Sequence, residues 1–195
     1  MATGKDAAFG LMPIEKMLGA HLYAFATSNA AAIYLQCLVE HNGTSYTTKK
    51  GAGIPGCYVE ETGAAGSLLG SVIALFDSDM NPINYLPITT TGDGIVAGYA
   101  LVADHPMQLF LIQEDGDTTP VAAASIGLNA DLIGTGGSTV TGISTQEIDS
   151  DTVNTTSTLA VKILRAHEKD TVASAYCRYI VSINSHHNGA NIDGV

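Results

Sequence analysis

Six histidines, three cysteines and two acidic turns stand out among the side chains of this 195-residue chain that could act as ligands, bases or nucleophiles; the serines and remaining acids are present but unplaced. The spacing of the histidines, cysteines and acidic turns assigns them no such role. His186 and His187 are adjacent, so in a strand they point to opposite faces and cannot chelate one metal together. His21, His41, His105 and His167 form neither an HExxH pair nor a helical i, i+4 pair. A symmetric oligomer is the one arrangement in which a single histidine per subunit could meet its copies on an axis. Cys37, Cys57 and Cys177 are odd in number and widely spaced, which reads as reduced thiols made in a cytosol. Cys37 shares a face with Ile33, Leu35 and Val39, so burial is its simplest role.

The acidic stretches Asp77-Ser78-Asp79 and Glu114-Asp115-Gly116-Asp117 lack the full twelve-residue loop and terminal Glu of an EF-hand. Carboxylates and glycines of this kind are common in turns between strands. Gly51-Ala52-Gly53-Ile54-Pro55-Gly56 matches GxGxxG in form only. A dinucleotide site needs a helix after the last glycine, and Pro55 followed by Cys57-Tyr58-Val59 does not supply one. No GxSxG elbow is present. No residue is therefore assigned a catalytic, cofactor-binding or metal-ligating role.

The elements that must position these groups read as strands. Apolar residues make up 46% of the chain and charged residues 14%, enough apolar content for a core. Ile33 to Val39 alternates and ends at the turn signal Asn42-Gly43, with a polar loop over 44–56 beyond it. Cys57 to Glu60, Ser67 to Phe76, Val96 to Ala103 and Met107 to Glu114 follow. Thr158 to Arg165 points Leu159, Val161 and Ile163 inward. Arg178 to Asn184 does the same with Tyr179, Val181 and Ile183. Pro13 to Gly19 reads as one or two helical turns, with proline early and glycine after the end. The expected fold is all-β: one barrel or sandwich, of jelly-roll or tulip-like type, over residues 31–195. A short helical or extended arm occupies residues 1–30.

The net charge of −11 argues against nucleic acid and against anionic membrane surfaces. No apolar run has the length of a membrane span, and the first ten residues lack the apolar stretch of a secretory signal. Low charge on a β-rich chain suggests surface covered by partners or by its own copies. Phe9, Leu11, Met12, Leu22 and Phe25 in the arm are the candidate contact residues. Gly134, Gly136 and Gly137 join them, because the glycine-rich stretch 127–144 could let its backbone approach another chain, or form a hairpin within one subunit. Ser138 to Ser144 is expected to re-enter a strand.

One series of motifs is more specific than these patterns. Ala103-Asp104-His105-Pro106 is followed by Leu109-Phe110-Leu111-Ile112-Gln113-Glu114-Asp115-Gly116. Ile126 to Asp131, Ser138 to Ser144, Glu147-Ile148-Asp149, Leu159 to Leu164 and Tyr179 to His186 come next. In this order, over about residues 96–187, the chain resembles a family of small structural proteins of tailed bacteriophages, the capsid decoration or cement proteins. The family's closing Asn-before-His is interrupted here by Ser185. The resemblance implies a non-enzymatic virion protein without a cofactor, made in the host cytoplasm. It would bind the major capsid protein outside the expanded shell, commonly as a homotrimer, and clamp neighbouring capsomers. A head fibre or glycan-binding virion protein is the alternative. An enzymatic or small-molecule-binding β-barrel is the further one, and convergent histidines and carboxylates in a pocket would favour it.

Overall fold

The computed structural model of the chain describes residues 4–27, 31–46, 56–63, 66, 68–88 and 96–189. Residues 51–55 of the glycine-rich GAGIPG stretch, and Thr47 to Lys50 before it, lie outside these. Among the described residues, fifteen strands follow in chain order: β1 (Met12–Ile14), β2 (His21–Phe25), β3 (Ile33–Tyr34), β4 (Leu38–Tyr46), β5 (Gly56–Glu61), β6 (Leu68–Asp77), β7 (Pro82–Ile83) and β8 (Tyr85–Leu86). They continue with β9 (Gly98–Ala103), β10 (Leu109–Gln113), β11 (Asn129–Ala130), β12 (Leu132–Ile133), β13 (Glu147–Ile148), β14 (Val161–Ala166) and β15 (Arg178–Ile183). The only helical elements among the described residues are two single 3-10 turns. The all-β reading holds.

Five strands close on themselves. β4 pairs with β5, β5 with β2, β2 with β9, β9 with β6, and β6 returns to β4. Only the β2–β5 contact is parallel, at Ala24 and Tyr58; the others are antiparallel. Closure leaves no free edge in the barrel wall. The side chains alternate as the pleat requires. Phe25, Val39, Val59, Val72, Leu75, Ala100 and Val102 share the inner cluster, together with Cys37. The second sheet runs β1-β10-β15-β14-β11, all antiparallel, and packs Phe110, Ile112, Val161, Ile163, Tyr179 and Val181 against Leu38, Leu68 and Ala103 of the barrel.

Three local expectations fail for identifiable reasons. Residues 13–19 contain no helix: Met12–Ile14 pairs with Leu109–Leu111, and Glu15 turns the chain at φ +61°. The buried Gln108 then donates to the Ile14 carbonyl and accepts from the Leu18 amide, taking backbone groups that a helix would pair internally. Asn42-Gly43 does not end its strand. β4 runs through it to Tyr46, and Gly43, at φ +76°, sits where the register against β5 slips. The pair makes a bulge rather than a hairpin turn. Ser138 to Ser144 is a tight loop, not a strand: Ser138 accepts from Gly142 at its carbonyl, and Ser138 and Ile143 pair across it.

Among the described residues, 4–27 do not form a separate arm. Through residue 27 they supply the edge strand β1 of one sheet and β2, a stave of the barrel between β5 and β9. Leu11 and Phe25 are fully buried in this chain, so neither is a contact residue for a partner. Leu22 packs beside Ala24, Val96 and Tyr99 on the barrel's outer side.

Candidate functional site

The inward-facing rows of three barrel strands change character at one end. On β2 the row reads Phe25, Tyr23, His21; on β4 it reads Val39, His41; on β9 it passes from Val102 to Asp104 just beyond the strand. Register puts these groups on one face, because His21 pairs with Val102 and Tyr23 with Ala100. The apolar barrel interior therefore ends in a mouth lined by two histidines, a tyrosine and a carboxylate.

Asp104 is the centre of this mouth. It is 3% exposed, yet both its oxygens are engaged. His21 Nδ1 lies 2.9 Å from Oδ1 and 2.8 Å from Oδ2, and the Tyr23 hydroxyl donates to Oδ2 at 2.6 Å. A carboxylate only accepts, so the neutral His21 ring carries its hydrogen on Nδ1. The side chain is 74% exposed, and its Nε2 lone pair remains for other partners. His105 has the opposite arrangement. Its Nδ1 accepts the Met107 amide at 3.1 Å, which leaves the hydrogen of the neutral ring on Nε2. Both rings line one cavity of about 460 Å³, with Leu18, Gly19, Pro106 and Asn188 completing its wall.

A second histidine pair closes the inner side. The His41 and His187 rings meet edge to face at 4.3 Å, and Tyr23 meets His41 at 5.7 Å. His186 is buried; its Nδ1 accepts from the Asn188 amide, and the next amide, of His187, is tied to the Leu68 carbonyl. Burial pushes His186 down to about 4, and the Asp104 charge only partly opposes this. Burial also lowers His41, with its neighbour His187 adding to the effect. His41 and His186 are thus both biased toward the neutral form while His21 faces solvent.

No family model, curated protein or solved structure matches this chain.

Five of the six histidines therefore converge, though their sequence spacing gave no sign of it. His21 and Asp104 are 83 positions apart. The one available signal was strand parity: His21, Tyr23 and Phe25 alternate, and His41 follows Val39 by two. Among the described residues, no group of three or more His, Cys, Asp or Glu is arranged to hold a metal ion. The acidic turns have structural work. Asp77 accepts from the Asp79 and Asn81 amides, and the buried Glu114 accepts from the Val121 and Tyr176 amides.

The expected contact residues are scattered. Phe9 lines a cavity with Lys5, Tyr176 and Arg178, and Met12 lies on the outer face of the second sheet with Leu111 and Ile180. Gly134, Gly136 and Gly137 approach their own chain. A Cβ on Gly137 would collide with the Ile143 carbonyl oxygen and stand 2.6 Å from the Tyr34 ring. One on Gly134 would meet the Thr145 carbonyl at 2.8 Å. The Gly136 amide donates to Glu61. The loop is bolted down at its base, and its tip carries Val140, 87% exposed.

Proposed function

We propose that this chain is a capsid decoration protein of a tailed bacteriophage. It binds the major capsid protein on the outside of the expanded shell, as a homotrimer, and clamps neighbouring capsomers. The observation that carries the reading is the ordered series of motifs over residues 96–187. The acidic composition suits a protein that never touches packaged DNA. Val140, projected on a loop whose base is fixed by Tyr34 and Glu61, supplies an apolar tip that loses little freedom on docking. Several such weak contacts in one trimer gain through effective concentration.

The test is the copy number of the chain in purified particles, by quantitative mass spectrometry against the major capsid protein. A number comparable to that of the capsid subunit is expected. A few copies per particle would favour a fibre, and absence would reject a virion role. Val140→Asp should lower occupancy on particles while leaving the melting temperature of the free protein unchanged.

A further inference from the structure

The barrel mouth has a construction that a purely structural surface does not require. Asp104 is almost completely buried, and a buried carboxylate is costly unless its oxygens are paired. Its partners are a tyrosine and a histidine, and the histidine is far more exposed than the carboxylate that fixes it. The result is a ring held by its Nδ1 side, with its Nε2 lone pair directed away from the clamp. A carboxylate in this position also stabilises the imidazolium that forms when Nε2 takes a proton. His105 lines the same cavity and, with Nδ1 occupied by the Met107 amide, bears a neutral N–H donor. One wall thus offers a base and an uncharged donor, beside the apolar surface of Leu18 and Pro106.

We infer that the barrel mouth is a general-base hydrolytic site for small uncharged esters. His21 is the catalytic base, His105 donates to the carbonyl oxygen, and Asp104 and Tyr23 position His21. Nε2 of His21 removes a proton from a water molecule as the water oxygen bonds to the ester carbonyl carbon. The bond from that carbon to the alcohol oxygen then breaks, and His21 returns the proton to the departing oxygen. The products are an acid and an alcohol, and no cofactor enters the balance. The substrate is uncharged because the walls are apolar and the chain carries a net charge of −11, which repels anions. The cavity, at about 460 Å³, lies in the size range of small-molecule pockets, and barrel mouths commonly hold them.

The experiment uses the full chain with p-nitrophenyl acetate and p-nitrophenyl butyrate, followed by release of nitrophenolate. Saturable turnover is expected, reduced at least about tenfold in His21→Gln, because a positioned base contributes of that order or more. His21 is exposed, so the variant should keep its fold, checked by circular dichroism. His167→Gln, outside the mouth, should leave the rate unchanged. Nitrogen-15 NMR of the rings gives a second, substrate-independent reading: His21 should be protonated at Nδ1 and His105 at Nε2. Asp104→Asn should shift the pH profile of turnover, which a purely structural role would not do. Turnover linear in ester, a rate unaffected by His21→Gln, or the opposite tautomer on either ring would overturn the inference.

Discussion

The Gly136 amide donates to the carboxylate of Glu61 at 3.1 Å, joining a loop to a barrel strand 75 residues away. Burial lifts Glu61 to about 7, against the pull of that amide. Between pH 4.5 and 7 the folded state therefore holds a proton that the unfolded chain has released. The stability so contributed is present below the unfolded value and is lost as pH rises through 7. Glu61→Gln keeps an oxygen for the amide and removes the charge. Its melting temperature should match the parent at pH 4.5 and exceed it at pH 8 by a few degrees, roughly 2–4 °C per kcal/mol for a chain this long. Calorimetry at the two pH values decides it.

His186 acts in the other direction. It is held at about 4, against 6.5 for an ordinary histidine, so the unfolded chain binds a proton that the native state refuses. Stability is full above 6.5 and falls as pH drops through 4, by a limit on the order of 3 kcal/mol. His186→Gln should flatten this acid slope. Urea titrations at pH 7, 5 and 4 measure it, and an unchanged slope would remove His186 as its source.

Two glycines separate backbone strain from crowding. Gly127 has φ +92°, and a methyl added there would find nothing within 4 Å. Gly142 has φ +74°, and a methyl there would collide with the Asn84 carbonyl oxygen. Gly127→Ala should cost roughly 1–2 kcal/mol from conformation alone. Gly142→Ala should cost at least about 3 kcal/mol, because the loop must also move off Asn84. Equal losses in chemical denaturation would show that Gly142 is not crowded as described.

Removing residues through Phe25 tests the role of the first segment. β2 fills the gap between β5 and β9, so its loss opens the barrel and uncovers Val59 and Ala100. The truncated chain should lose its cooperative thermal transition in circular dichroism. A sharp transition would show that this segment is a dispensable arm after all.

The sequence made the second sheet legible and the barrel only partly so. In β14 and β15, Val161, Ile163, Tyr179 and Val181 enter the core as their alternation indicates. β6 is covered on both sides and slips register twice, against β4 near Leu69 and against β9 near Ile73. Its inward residues are therefore Leu69, Val72 and Leu75, a spacing that no simple period reads. The helix expected over 13–19 was reasonable locally and lost to pairing with β10 and to Gln108, neither of which is visible nearby in sequence. The histidine mouth was illegible because barrel closure, rather than spacing, brings its members together.

The parallel contact between β2 and β5 sets a timetable for synthesis. β2 leaves the ribosome before both of its neighbours in the wall, residues 56–61 and 98–103. Until Ala103 has emerged, Ala24 and Phe25 have no complete slot to enter. Closure is therefore late and depends on distant pairing, the kind of topology that folds slowly. Until residues 98–103 follow, the nascent chain carries this stave without its antiparallel neighbour, and that interval is when it most needs shielding from its own copies.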